Sequence, residues 1–376
     1  MPSILLVTND FGPRAGGIET FVIGLLERIP RGEVVVYTSS QEGSAPFDDR
    51  WRQEFGVEVI RDKASILLPT PRVMRNLRKV LVTRKISKVW FGAAAPLGLS
   101  SRWLRTSGAE HIVALTHGHE VWWSKVWPFT WLMNEIARNV DAATYLGEFT
   151  KEAIKPRFKD PEKLIKVAPG IDTEHFKPMD SSNLRKELGL GNRPTIISVG
   201  RLVHRKGQDR LVEALPRIIK EFPDAVLIFV GEGPHRKVLD SLVDKNHLQE
   251  NVRFIGRIQY SDLPRYIALG DVFAMPSRSR LLGLEVEGLG IVYLEASACG
   301  LPVVGGSSGG APDAVKDGIT GFVVDGNDID AIAERIIDLL KDEHLRRTMG
   351  EAGRQWAVEE WRWQRWSDEF NAALKI

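Results

Sequence analysis

The sequence holds one cysteine, Cys299, in 376 residues. An intrachain disulfide is therefore excluded, and the chain suits a reducing compartment. Long apolar runs are missing too. Nothing approaches the roughly 18 consecutive apolar residues that span a bilayer, and the uncharged piece at 89–101 is broken by Gly92, Pro96 and Gly98. The opening Met1-Pro-Ser-Ile-Leu-Leu-Val-Thr-Asn-Asp10 has no basic leader, so no secretory signal is expected. The dinucleotide fingerprint Gly-x-Gly-x-x-Gly is absent: after the apolar run 225–230, Gly231 and Gly233 are followed by Arg236 where the third glycine is needed. Acid is lacking in one long window, residues 63–109, which carries ten Lys or Arg and no Asp or Glu.

What is present is ordinary in amount and uneven in place. A chain of this length predicts two domains, each large enough for its own core. The net charge of +2 hides an asymmetry. Residues 1–170 carry 24 basic and 18 acidic side chains, hence +6, and the remainder carries 27 and 31, hence −4. Basic segments of this kind suit an anionic surface or polyanion. Pro71–Arg84 predicts an amphipathic helix with Val73, Leu77, Val80 and Leu81 as its apolar stripe. Arg72, Arg75, Arg78 and Lys79 lie outside that stripe, either as a solvated face or as a surface for anionic lipid head groups.

Ile4-Leu-Leu-Val-Thr8 is a short apolar run of the buried parallel-strand type. It leads into a loop ending in Gly16-Gly17 and a helix predicted over 18–28, together the first unit of a Rossmann-like layer. The paired glycines are either a tight turn alone or a loop that meets a ligand. Further strands are expected at 34–38 and 57–60, with 141–146 as the last of the first domain. Residues 112–116 run into His117-Gly-His119. Two histidines so spaced could hold a metal, but no third ligand stands at zinc spacing. Trp122, Trp123, Trp127, Phe129 and Trp131 follow, as core or as an interfacial wall. One Trp-rich helix is predicted over 356–376.

The second half repeats the strand–loop–helix logic from Thr195. The stretch Glu287-Gly-Leu-Gly-Ile-Val-Tyr-Leu-Glu295 predicts a glycine loop and then a helix over 291–299, stopped at Gly300 with Pro302 after it. Unpaired N–H groups and the positive dipole end of that helix make an anion site beside Gly288, Leu289, Gly290, Ile291 and Val292. Glu287 and Glu295 flank it, able to accept hydrogen bonds from sugar hydroxyls. Asp328-Ile-Asp330 looks like a metal-binding Asp-x-Asp, yet it directly precedes a helical pattern and predicts an N-cap with a first-turn acid.

Glu287-x7-Glu295 with Ala-Cys-Gly-Leu-Pro after it, Gly200-Arg201-Leu-x-x-x-Lys206-Gly207, and Pro13-Arg-x-Gly16-Gly17-Ile resemble the retaining family 4 glycosyltransferases of the GT-B fold. The resemblance covers almost the whole chain. It implies an α/β protein of two Rossmann-like domains facing each other across a cleft. Residues 1–170 with 358–376 would form the acceptor- and membrane-facing domain, and 171–357 the nucleotide-sugar domain. It implies that Glu287 faces the transferred sugar and Glu295 holds the ribose hydroxyls. Arg201 and Lys206, carried on one turn, would sit on the pyrophosphate, Gly16 and Gly17 near it, and Ile258 on the loop that touches the base. His119, rather than His117, would stand beside the sugar. Asp313 departs from the family pattern, which has Glu at that place.

Within the family the chain looks most like the actinobacterial phosphatidylinositol monomannoside α-1,6-mannosyltransferases. That likeness implies GDP-mannose as donor, a phosphatidylinositol mannoside lipid as acceptor, no metal or other cofactor, and no nucleic acid. The expected location is cytoplasmic, peripheral on the inner face of the plasma membrane. Rival expectations are another sugar or lipid acceptor, a nucleotide-sugar epimerase of the same fold, and a non-catalytic polyanion-binding module.

Overall fold

Short runs of Val, Ile and Leu bounded by Gly, Pro and Asp become strands buried on both faces, as parallel sheets require. The structure, a computed structural model, describes residues 2–14 and 16–376. The chain divides into two compact units, residues up to 170 together with 363–376, and residues 171–362.

The first unit is a parallel sheet of β1 (Ile4–Thr8), β2 (Val34–Thr38), β3 (Glu58–Arg61), β4 (Lys88–Phe91), β5 (His111–Ala114), β6 (Ala142–Tyr145) and β7 (Leu164–Lys166). Their order is β3-β2-β1-β4-β5-β6-β7. The second is a parallel sheet of β8 (Thr195–Val199), β9 (Val226–Val230), β10 (Val252–Gly256), β11 (Val272–Met275), β12 (Val303–Gly306) and β13 (Gly321–Val324), ordered β10-β9-β8-β11-β12-β13. Each sheet grows outward in one direction and then resumes on the other side of its first strand. At that reversal, β1/β4 or β8/β11, neighbouring loops part and leave a crevice beyond the strands' carboxyl ends. The loops after β8 and β11 are therefore where the second unit has room for a ligand.

Two expectations about elements are corrected. The strand at 141–146 is not the last of the first unit, because Leu164–Lys166 pairs with it as a half-buried edge. The helix expected over 356–376 is two helices, Glu343–Glu360 and Trp363–Ala373, parted at Trp361 and Arg362. Only the second belongs with the first unit. There Trp363 lies against Gly24, where any Cβ would overlap its ring, and Arg28 sits 4.7 Å over that ring. Phe370 packs on Trp90 with 4.7 Å between ring centres.

The basic helix forms over Pro71–Arg84, with Thr70 capping the Val73 N–H and Pro71 in its first turn. Val73, Leu77 and Leu81 are buried. Arg72 is not the free cation expected of it. Its guanidinium is bonded twice to Asp62, at 2.7 and 2.9 Å, and Asp62 also accepts from the Tyr37 hydroxyl and the Ala64 N–H. These donors, Arg72 first, hold the Asp62 carboxyl well below the usual carboxylate range. The correction has a simple reason: the acid stands one residue outside the acid-free window.

Asp62→Ala should lower the free energy of unfolding by about 2 kcal/mol, since it strands the buried Tyr37 hydroxyl and removes the partner of Arg72. A group with a depressed folded pKa stabilises above its unfolded value, so the difference from wild type should shrink as the pH falls below 3.8. Urea unfolding at pH 7 and pH 3 checks this. Equal midpoints at pH 7 would mean that the network does not hold the helix.

Candidate functional site

Beyond β8 the backbone turns at Gly200, whose φ is +143°, and runs through Arg201 to a single 3-10 turn, His204–Lys206. Gly207 closes that turn at φ +74°, where a Cβ would run into the Pro276 carbonyl oxygen. Only glycine fits. Lys206 is thereby drawn in to 9% exposure, with its Nζ 2.9 Å from Glu287 Oε2. Arg205 Nε stands 3.9 Å from the same oxygen. Arg201 is different. It shares the loop with Lys206 but not the turn, and its side chain is exposed.

The Glu287 loop is pressed against residues 305–310. The Glu287 carbonyl accepts from the Gly310 N–H at 2.9 Å, and the Glu287 N–H donates to Ser308 Oγ at 3.2 Å. Gly309 and Gly310 have no room for a Cβ, because the carbonyls of Glu287 and Gly288 occupy it. Leu289 is buried, Gly288 half-buried, and Gly290 takes φ +76° to start the helix Ile291–Ala298. No side chain caps that helix, so its positive end at Ile291 and Val292 is left to an anion. Tyr293 pins it in place, with its hydroxyl 2.7 Å from the Met275 carbonyl and 3.0 Å from Ser277 Oγ.

Glu295 lies in the same helix at 7% exposure, and no hydrogen bond to its carboxyl occurs among the described residues. Burial pushes its pKa up to about 7, with Lys206 pulling the other way. Such a carboxyl is ready to accept two hydroxyl hydrogen bonds. Ile258 is half-buried on the loop after β10. The second unit thus brings Lys206, Glu287 and the helix start together.

Asp328 caps the helix Ile329–Lys341 through the Ala331 N–H at 2.9 Å, and Asp330 pairs with Arg217 at 2.7 Å. The Asp-x-Asp is a helix start, as its context predicts. Sequence inspection missed Arg278 and Asp209, a buried pair behind the Lys206 turn. An arginine in a loop and an aspartate in a helix's first turn give no sign of burial by themselves.

In the first unit, Gly16 precedes the helix Gly17–Leu26, and a Cβ there would strike the Glu19 carboxylate, whereas Gly17 faces open space. His117 is held by the Gly92 carbonyl at 2.6 Å, and burial lowers its pKa. His119 faces Glu120 at 3.2 Å and the Ala95 carbonyl at 3.3 Å. Asp10 is a further group that the sequence did not advertise. Burial and then Glu19 push its pKa up to about 6. Arg75, Arg78 and Lys79 are exposed. Among the described residues, no three His, Cys, Asp or Glu side chains gather as metal ligands.

Two family models match the chain: Glycosyltransferase Family 4 over residues 15–175, and Glycosyl transferases group 1 over residues 180–356. A GDP-mannose-dependent α-(1-6)-phosphatidylinositol monomannoside mannosyltransferase of Mycolicibacterium smegmatis is 43% identical over 96% of this chain and 95% of that protein. A GDP-mannose-dependent monoacylated α-(1-6)-phosphatidylinositol monomannoside mannosyltransferase of Corynebacterium glutamicum is 41% identical over 96% of this chain and 94% of its own. Among solved structures, Anabaena HepE in complex with UDP superposes with a TM-score of 0.85 over the whole of both chains at 20% identity, a likeness of fold.

Glu295→Gln gives a test of the buried carboxyl. Its pKa is raised on folding, so the cost of ionising it is absent below about 4.5 and complete above about 7. The variant without nucleotide should be more stable than wild type at pH 8, by up to about 3 kcal/mol, and indistinguishable near pH 4.5. Thermal unfolding at the two pH values measures it. Equal stability at pH 8 would show that Glu295 is already compensated.

Proposed function

The chain belongs to the family 4 glycosyltransferases, and from that premise we propose that it moves mannose from GDP-mannose to a phosphatidylinositol mannoside lipid, making an α-1,6 linkage with retention. The observation that carries this is the Lys206–Glu287 pair at the uncapped start of the Ile291–Ala298 helix, in a chain so similar to mannosyltransferases of that specificity.

The donor half of the reaction follows from the second unit. The diphosphate takes the helix start and the Lys206 ammonium, and Arg201, being exposed, is free to swing onto it. Glu295 accepts from the ribose hydroxyls, and the Ile258 loop meets the base. Glu287, released from Lys206, accepts from hydroxyls of the mannose. With Glu287 engaged by the mannose hydroxyls, no side chain is assigned as nucleophile, and the leaving diphosphate assists the acceptor instead. The bond from the anomeric carbon to the phosphate oxygen breaks, and its electron pair goes to the diphosphate. The acceptor oxygen bonds to that carbon on the same face, and its proton passes to the diphosphate, giving GDP and the α-mannoside. Positive charge comes from Lys206, Arg201 and the helix, so the proposal requires no metal. In the first unit His119 is assigned to the sugar.

No helix among the described residues is long and apolar enough to cross a membrane. For a lipid acceptor the protein is proposed to dock peripherally on the anionic inner face of the plasma membrane. Arg75, Arg78 and Lys79 provide the contact. Arg72, bound to Asp62, is left out of it. Each free cation contributes roughly 1 kcal/mol near such a surface, screened by salt.

Arg201→Ala and Lys206→Ala should each cut kcat/KM about 100-fold, because a fixed cation counts most where charge develops on the leaving diphosphate. GDP-mannose and UDP-sugars, each assayed with and without the lipid, test the substrates. Wild-type turnover in either variant would refute the roles, and donor consumption without lipid would point to an epimerase.

Replacing Arg75, Arg78 and Lys79 together by Glu should abolish binding to vesicles rich in anionic phospholipid while sparing transfer to a water-soluble acceptor analogue. Unchanged sedimentation with vesicles would leave that helix face merely solvated.

A further inference from the structure

Behind Lys206 lies a second ion pair for which the donor chemistry has no use. Arg278, three residues beyond β11, is 3% exposed, and its Nη2 lies 2.6 Å from Asp209 Oδ2 in the first turn of the helix Gln208–Glu221. The Arg278 N–H donates to the Arg205 carbonyl at 2.8 Å. The His204 ring presents its nitrogens to the same guanidinium at 2.8 to 3.3 Å. Burial, and then Arg278, lower the His204 pKa, which keeps the ring neutral and able to accept. Gly207 meanwhile abuts the Pro276 carbonyl with no space for a side chain. The turn that carries Lys206 is thus held at His204, at Arg205 and at Gly207, each time by residues 276–278 just past β11.

Stability alone is a poor reason for this pair. Arg278 Nη1 and Asp209 Oδ1 are buried without hydrogen-bond partners, and a buried ion pair is commonly no more stabilising than apolar side chains of its size. What it supplies is direction. We propose that Arg278 and Asp209 are positioning residues that lock the 204–207 turn onto the end of β11 and so fix the Lys206 ammonium where the leaving diphosphate needs it. The proposal rests on the assignment of Lys206 to the diphosphate.

A double-mutant cycle tests it. Arg278→Met with Asp209→Leu replaces the pair by apolar side chains that leave no uncompensated charge. In the wild-type background kcat should fall on the order of 10-fold or more, with the KM for GDP-mannose within about threefold and the thermal midpoint within a few degrees. In a Lys206→Ala background the same two substitutions should cost less than about threefold, because the group they position is already gone. Arg278→Lys, which keeps the charge but not the planar fork, should give an intermediate loss that likewise requires Lys206, and it serves if the apolar pair fails to fold. Equal losses with and without Lys206 would overturn the proposal and indicate either direct contact with substrate or general damage. GDP affinity by calorimetry, measured on the same variants, needs no sugar transfer. GDP carries the charge that develops on the leaving group, so its affinity should fall on the order of 10-fold with the apolar pair where Lys206 is present and hardly at all where it is Ala. If the wild type transfers no mannose, the functional assignment fails, while an equal fall in GDP affinity in both backgrounds would sink the positioning role.

Discussion

Charge held out of water at the end of a parallel sheet is the constraint on which the second unit is built. Glu287 and Glu295 are nearly buried, and Lys206, also nearly buried, touches only the first of them. Glu287 has Lys206, with Arg205 Nε 3.9 Å away, but Glu295 has no direct partner among the described residues. A folding chain does not favour that arrangement, because an unpaired buried charge costs several kcal/mol. The segments that carry these groups meet backbone against backbone. Gly207, Gly309 and Gly310 each let one segment's carbonyl come where a Cβ would otherwise be, so the loops after β8, β11 and β12 close on one another. The reversal of strand order supplies the crevice, and the glycines supply the approach.

The first unit settles its charge differently. Of the ten cations in the acid-free window, Arg72, Arg84, Arg102 and Arg105 find Asp62, Glu58, Glu135 and Asp141, all outside it. Exposed pairs such as Arg102–Glu135 add little to stability, but they do subtract from the field that a distant anionic surface feels. Lys63, Arg75, Arg78, Lys79 and Lys85 have no acidic partner among the described residues, and four of the five lie on the Pro71–Arg84 helix or at its end. A count along the sequence overstates the basic patch and blurs its place. Pairing in space reduces it and concentrates it on one helix.

What could be read in the sequence was what is local. Glycine, an apolar helix and a proline stop in fixed succession gave the Glu287–Glu295 element, and the runs of Val and Ile gave the buried strands. The spacing of Val73, Leu77 and Leu81 gave the basic helix to its last residue. The failures are all of the other kind. Leu164–Lys166 is three residues long and half-buried, too short for a period to show. The break at Trp361 and Arg362 lies in a stretch with neither Gly nor Pro, so no local signal ends the helix. The partner of Arg72 was one residue beyond a window drawn by composition. Arg201 and Lys206 are close enough in sequence to predict one turn, whereas the 3-10 turn His204–Lys206 buries the second and leaves the first in water.

Glu295 shows how such a site is completed. With a pKa near 7, its carboxyl is divided between charged and neutral forms at neutral pH, and the neutral form is the cheaper one to bury. Hydroxyl donors brought by a ligand would satisfy the charged form and lower that pKa. Binding and deprotonation are then one process, in which the ligand supplies what folding left out. Lys206 pulls the same pKa downward from the other side, so the ammonium proposed to neutralise the diphosphate also favours the accepting form of Glu295. A diphosphate that drew that ammonium toward itself would leave the hydroxyl hydrogen bonds to hold the carboxylate charged. On the proposed roles, sugar hydroxyls at Glu295 and phosphates at Lys206, the two ends of the nucleotide would be coupled through the Lys206 ammonium.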